Sequence, residues 1–432
     1  MPANTHPVRS AHAPETPDQQ TSSAHAPETP GPAAPAAEPR TLPHTWEEAR
    51  AAAYNVAEPL PAHEIPLERA AGRKLAADIV ALHPMPHYAS SAMDGWAVAG
   101  SPPWILTEPG RRLSPGQAVP IVTGGLLPQG AKSVLRSEAG LLSTDDDGLP
   151  VLVRGGAARP GEPKNGQHIR PAGQEAAEGE LLVKAGVTLN PAHLSLAALG
   201  GLDDVSVLGR PAVQLVLTGD EVVQSGLPTP GHVRDAFTPQ LGGVVELLGG
   251  TVVGLRRAAD NLEATLEALA DTEGNPADVV ITTGATGRSS ADFLRPAIAR
   301  MGGTFHIDGV AMRPGHPSLL AEFPDGRFLV GLPGNPLAAM IALLTIGAPL
   351  LARLGAAPLP ATFEVACGSP IKEYHGPTRL MPYRLLYGLA SPCANTDSAM
   401  MRGLAAADGV MVVPPHGAKM GEALTAFRLP WT

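Results

Sequence analysis

Only two cysteines, Cys367 and Cys393, occur in 432 residues, and they form no Cys-x-x-Cys pair. This argues against a disulfide framework and a thiolate zinc site, and it suits a reducing cytoplasm. Aromatic residues are scarce at 4%, and charged residues make up 17%. A basic excess is also missing, because the formal charge is −10. That argues against nucleic acid as the main partner, since a phosphate backbone requires a basic face. The N-terminus has no apolar core of the secretory kind. The longest apolar stretch, Leu337 to Leu351, is interrupted by Thr345, Gly347 and Pro349. It reads as a buried helix with Asn335 as N-cap and Pro336 at its first position, not as a membrane span. A soluble cytoplasmic protein is expected, with neither nucleic acid nor membrane as partner.

Hydrophobic residues are plentiful at 44%, alongside 48 glycines and 47 prolines. The chain is therefore expected to be globular, with several domains rich in turns and short strands. Residues 1–43 are rich in Pro, Ala, Thr and Glu, and Ser-Ala-His-Ala-Pro-Glu-Thr-Pro occurs at Ser10 and again at Ser23. Such a segment is expected to be a disordered tail. Order begins at Thr45, which has Glu48 three residues on and so makes a capping-box start. Short apolar runs broken by turns between Trp104 and Val153 suggest a small β domain. A helix is expected over Pro191 to Leu199, closed by Gly200 and Gly201. An α/β region follows, with helices near 236–249, 260–271, 291–302 and 337–353. From Leu359 the pattern returns to short strands.

In the α/β region three apolar strands each run into a tight turn. They are Leu215-Val-Leu-Thr-Gly-Asp-Glu-Val-Val223, Val279-Val-Ile-Thr-Thr-Gly-Ala-Thr-Gly287 and Phe328-Leu-Val-Gly-Leu-Pro-Gly-Asn-Pro336. Ligands of open α/β sheets bind outside the carboxyl ends of the strands, where amides and helix N-termini favour anions. A phosphate-bearing ligand is therefore expected at this edge. Thr218-Gly219-Asp220-Glu221 places two carboxylates on one turn, which alone would read as a stabilised corner. Residues 282–292 offer amides, hydroxyls, Arg288 and Asp292, a plausible phosphate nest but not a Walker A loop. Arg313-Pro314-Gly315-His316-Pro317 holds two basic groups on a proline-stiffened loop, which suits an oxyanion. His83 and His87 are not expected to bind metal, because proline breaks the helix that would align them.

Together these segments resemble the molybdopterin molybdenumtransferase family, the MoeA type that includes the E domain of gephyrin. The matches, in the family's order, are Ser91-Ala-Met-Asp-Gly-Trp-Ala-Val98, Ile121-Val-Thr-Gly124, Thr218-Gly-Asp-Glu221, Asp260-Asn261, Arg313-Pro-Gly-His-Pro317 and Gly331-Leu-Pro-Gly-Asn-Pro336. The resemblance spans roughly residues 44–432. It implies an α/β plus β chain of elongated, multidomain form. Its parts would be a linker domain (44–82 and 160–208), an inserted small β domain (83–159), an α/β molybdopterin-binding domain (209–356) and a C-terminal β-barrel-like domain (357–432). The implied reaction inserts molybdenum from molybdate into adenylylated molybdopterin, with Mg²⁺, and releases AMP. A homodimer sharing its cleft is implied, with a molybdopterin adenylyltransferase as the upstream partner.

Carried over by position, Asp94, Glu221, Asp260 and Asp292 are the catalytic acids, and Glu221 and Asp292 would hold the metal. The binding set is Thr123, Thr218, Gly219, Thr283, Gly284, Arg313, Pro314, His316, Pro333, Gly334, Asn335, Pro336, Arg384 and Ser398. Arg313 and His316 stand where the family has two lysines. Phe237 replaces an Asn, the 283–292 loop loses a Gly pair, a serine and an acid, and Asp397-Ser398-Ala399 replaces Gly-Ser-His. These departures keep open a second reading, a catalytically impaired relative that binds molybdopterin or a partner protein as a carrier or adaptor. A hydrolase of phosphate esters on the same edge would leave the Ser91–Val98 match unexplained.

Overall fold

The strands Val279–Thr283 and Phe328–Leu332 are buried at every position. Unbroken apolar runs of this kind need cover on both faces, and the fold supplies it. The computed structural model describes residues 43–270, 276–287 and 292–432. At its centre lies a six-stranded sheet in the order Thr251–Ala258, Ala212–Thr218, Val279–Thr283, Phe328–Leu332, Leu319–Glu322, Thr304–Asp308. The first four strands run parallel and the last two join antiparallel. Chain order reverses at Ala212–Thr218, which has the second strand of the domain on one side and the third on the other. That is a topological switch point, the usual place for a ligand crevice.

Side chains alternate between the two covered faces. Leu215, Leu217, Ile281 and Val330 pack with Trp46, Leu241 and the helical segment after Pro336. Val216, Val280 and Leu329 pack with Leu269, Leu294 and Ile298. The expected helices are present as Thr238–Leu247, Leu262–Leu269 and Leu294–Arg300. The apolar segment forms Pro336–Ala342, a π turn over Leu343–Gly347, and Ala348–Leu354. Among the described residues it is the one helix long and apolar enough to span a membrane, and it is 94% buried within the fold. Each fully buried Leu or Ile there contributes about 2 kcal/mol. Thr345, wholly buried, accepts a hydrogen bond from Trp46 Nε1 at 3.2 Å. The expected capping box at Thr45 is present, with Glu48 N donating to Thr45 and Thr45 N to Glu48. The helix Pro191–Leu199 spans the residues read from the sequence.

Toward the N-terminus a second six-stranded sheet holds Ser133–Arg136, Gly95–Ala99, Gln117–Ile121, Trp104–Leu106, Pro150–Arg154 and Gly140–Thr144. Segments before and after it pair with each other. His63–Pro66 joins Asp204–Val207, Ile79–Val80 joins Leu181–Val183, and Ser90–Ser91 joins Ile169–Arg170. Toward the C-terminus a third six-stranded sheet begins with Met312–Arg313, paired in parallel with the strand Thr378–Leu386. This pairing ties the loop carrying Arg313 to the C-terminal strands. Cys367 and Cys393 are both free.

Candidate active site

Backbone conformation brings the three turns to one edge. Gly219 has φ +116 and Gly284 φ +80, values that favour glycine. A Cβ on Gly284 would lie 2.6 Å from the Thr218 hydroxyl. That hydroxyl donates to Thr283 O at 2.6 Å, and Gly284 N donates to Leu332 O at 2.9 Å. Thr218, Thr283 and Gly284 therefore stitch the edge together. The Thr283 hydroxyl is buried without a partner among the described residues. Both threonines stand in the expected binding set, and hydroxyls for a ligand are expected from the loop of Thr283. One hydroxyl is used inside the sheet and the other is covered.

The acids at the edge are mostly exposed. Asp220 N donates to the Asp260 carboxylate at 3.0 Å, and Asp260 N to that of Asp220 at 3.4 Å. Asp220, absent from the expected site, thus fixes the position of Asp260. Glu221 is exposed, and its carboxylate has no partner among the described residues. Asp292 accepts from Gly287 N at 3.2 Å. The glycine amides of this loop are consequently not free, as a phosphate nest would require. Arg288 lies outside the described residues. Arg295, also missed, donates to Thr286 O, to Gly287 O at 2.7 Å and to Asp308 Oδ1 at 2.6 Å, which clamps the loop to a neighbouring strand. Among the described residues no group of three or more His, Cys, Asp or Glu is placed to hold a metal.

Beside this edge lies a cleft of about 930 Å³ where the α/β sheet meets the C-terminal strands. Arg313, Pro314, His316, Pro333, Asn335 and Ser398 all line it. Residues far apart in sequence converge there. Asn335 Nδ2 donates to Ser398 Oγ at 3.2 Å, and Ala338 N to Ser398 O at 3.1 Å. Asn335 is the N-cap by position, but its amide faces Ser398 and makes no capping bond. The His316 ring is held at Nδ1 by Val310 O at 2.8 Å. Arg384, expected in the binding set, is exposed on Thr378–Leu386 and does not line the cleft. Pro43, read as the end of the tail, is one of the cleft walls.

Asp94 and Thr123 meet each other elsewhere. Asp94 Oδ1 accepts from Thr123 N at 2.7 Å, and Gly124 N donates to Ser91 O at 2.8 Å. Two motifs read separately from the sequence are thus one structural unit in the N-terminal sheet. Behind it stands Glu162, 2% exposed, which accepts from Arg136 at 2.7 and 3.2 Å and from Arg159 N at 2.9 Å. Arg136 beside it, with the Arg159 amide, lowers the Glu162 pKa to about 2. His168 also faces Glu162 at 3.6 Å, and its carbonyl accepts from Ala92 N in the Asp94 turn. A second buried acid, Asp235, holds the start of the helix Thr238–Leu247. It accepts from Phe237 N at 2.9 Å, Thr238 N at 3.0 Å, the Thr238 hydroxyl at 2.6 Å and Arg257. Burial pushes its pKa up, but the Thr238 and Arg257 bonds prevail and it falls to about 2. Phe237 packs against the main core.

An open α/β sheet with acids at its switch point, and a cleft holding Arg313 and His316 beside it, is of the class whose ligands sit outside the carboxyl ends of the strands. Comparison with known proteins narrows the class. Residues 44–201 match the family described as the MoeA N-terminal region (domain I and II), and residues 214–353 match a "Probable molybdopterin binding domain". The chain is 30% identical to a molybdopterin molybdenumtransferase of Nostoc sp. over 67% of its own length and 69% of the relative's. It is 31% identical to that of Haemophilus influenzae, covering 67% and 72%. A Pyrococcus horikoshii molybdopterin biosynthesis MoeA protein shares the fold with a TM-score of 0.67 at 23% identity, over 90% of this chain and 99% of that one. The chain belongs to the molybdopterin molybdenumtransferase family.

Proposed function

We infer that this chain is a molybdopterin molybdenumtransferase of molybdenum cofactor biosynthesis, inserting molybdenum from molybdate into adenylylated molybdopterin with release of AMP. Family membership supports the class of reaction. The single observation that supports the chemistry is the convergence of Arg313, His316, Asn335 and Ser398 on one cleft beside the acid edge. Arg313 supplies a permanent charge and a fork of N–H donors for molybdate, and Asn335 and Ser398 supply neutral donors. His316 supplies a ring anchored at Nδ1, which leaves Nε2 available to the cleft. Asp94, Glu221, Asp260 and Asp292 are the acids of this reading, and Arg384 takes a supporting place on the adjoining strand.

A divalent cation fits the edge. Mg²⁺ typically takes one or two carboxylates and completes its shell with water and phosphate oxygens, so the lack of a three-ligand cluster is no obstacle. Glu221 and Asp292 would hold it, Glu221 being exposed and without a partner among the described residues. When bound, the cation neutralises phosphate charge on the adenylyl group. The residues' own part is to hold the cation and through it to orient the ligand at the switch point.

We further propose a homodimer, with the Asp94–Thr123 unit of one copy completing the cleft of the other. Val122 and Leu126, each 67% exposed, flank that unit and support such an interface. In this arrangement the N-terminal sheet is an inserted module and the C-terminal strands form the barrel-like part. The adenylylated substrate requires an adenylyltransferase upstream, and the two free cysteines suit the cytoplasm. The reading is tested by AMP release from adenylylated molybdopterin and Mg²⁺. Release that depends on added molybdate supports it. Binding of molybdopterin without any release would leave the carrier reading instead.

A further inference from the structure

Tyr374 stands between two arginines from adjacent strands. Arg313 Nη1 donates to the Tyr374 hydroxyl at 2.6 Å, and the Arg313 Cζ lies 5.5 Å from the ring centroid. Arg379 packs against the same ring at 5.3 Å. Arg313 and Arg379 are direct partners in the parallel pairing of Met312–Arg313 with Thr378–Arg379. Two guanidinium groups in register repel each other, and a tyrosine that bonds one and stacks on both offsets that repulsion. Arg379 is anchored in turn by Lys372 O at 2.8 Å, and its Nε is buried without a partner among the described residues. Arg313 lines the cleft, whereas Tyr374 does not.

We propose that Tyr374, backed by Arg379, is a positioning residue that holds the Arg313 guanidinium in the cleft for capture of a tetrahedral oxyanion. This rests on the functional reading above and deepens it. A lysine ammonium is a compact point charge that works in many orientations. A planar guanidinium binds an oxyanion well only when its fork is aimed. One Arg313 N–H is used on Tyr374, and the other donors remain for the ligand. A fixed arginine therefore needs a support that a lysine would not, and Tyr374 is that support.

The test measures molybdate binding to the full chain by equilibrium dialysis without pterin, together with the molybdate dependence of AMP release. Tyr374→Phe keeps the ring and removes the hydroxyl. Its molybdate Kd and KM should rise about 5- to 10-fold, the size of one charge-assisted hydrogen bond partly transmitted, while kcat changes less than twofold. In an Arg313→Ala background the same substitution should change nothing further. Melting temperature is measured alongside, so that a general loss of structure is distinguished. Unchanged Kd and KM in Tyr374→Phe, or an equal effect with and without Arg313, would overturn the proposal. A wild-type protein that binds no molybdate and releases no molybdate-dependent AMP would instead remove the functional reading on which it rests.

Discussion

Two kinds of carboxylate occur in this protein, and they differ in what surrounds them. Glu162 and Asp235 are 2% and 6% exposed, each has an arginine and backbone amides, and each is pulled to a pKa of about 2. Glu221 and Asp260 stand exposed at the carboxyl ends of strands, and Glu221 has no cation beside it among the described residues. The first kind is satisfied by the protein itself. Asp260 is held by the Asp220 amide and the Glu221 carboxylate is not held at all, and this second kind is left without a counter-charge among the described residues, which suits a group waiting for a ligand. Removing the first should cost stability, and removing the second should cost activity.

The largest expected effect sharpens this difference. Glu221→Ala and Asp292→Ala should lower adenylyl-molybdopterin turnover by roughly 10²–10³. Melting temperature should stay within a degree or two for Glu221→Ala, since that side chain adds little to the core. Asp94→Ala should lose activity similarly, and mixing it with Glu221→Ala subunits should restore part of it. In such a heterodimer one shared cleft regains both acids. No recovery, with heterodimers shown to form, would place Asp94 outside the shared site.

The converse experiment acts on the buried acid. Glu162→Gln removes the closest counter-charge of Arg136, leaving it Glu138 at 3.7 Å, and should cost about 2 kcal/mol of unfolding free energy in urea titration. A loss below ~0.5 kcal/mol would erase the distinction drawn here.

The difference between these acids was only half legible in the sequence. The turns after Leu217, Thr283 and Leu332, the Thr45 capping box and the helix after Asn335 depend on residues a few positions apart, so local pattern reveals them. Partners far apart are invisible to such a reading. Asp220 meets Asp260 across 40 residues, Arg313 meets Tyr374 across 61, and Asp235 meets Arg257 across 22. Even the joining of Asp94 to Thr123 shows only once the strands Gly95–Ala99 and Gln117–Ile121 pair. Arg384 shows the same limit from the other side: a motif match names it, and in the fold it stands exposed on Thr378–Leu386, apart from the residues that line the cleft.

A smaller effect follows from pH. Glu162 and Asp235 sit at about 2 in the folded chain, against about 4 when unfolded. Their stabilisation is fully present above the unfolded value and is lost as pH falls from about 4 toward 2, where the unfolded chain binds the protons first. Urea midpoints should therefore decline across that window. The decline should be shallower in Asp235→Asn and in Glu162→Gln than in the wild type. Parallel slopes in all three proteins would mean that other groups carry the acid sensitivity.

The smallest effect is expected at the N-terminus, and it locates where the site begins. Residues 1–42 have no periodic apolar face, so their removal should leave melting temperature and molybdate affinity unchanged. A drop of several degrees would mean that this segment docks. Extending the deletion through Thr45 should behave differently. It removes Pro43 from the cleft wall and the His44 carbonyl that accepts from Ala311 N at 2.7 Å, two residues before Arg313. It also removes the cap of the helix Trp46–Asn55, a loss of about 1 kcal/mol. The longer deletion should thus melt a few degrees lower and bind molybdate more weakly, because the loop that carries Arg313 loses its flanking strand bridge to His44. Equal behaviour of the two deletions would show that the acid and cation sites are held without the segment that precedes the first helix.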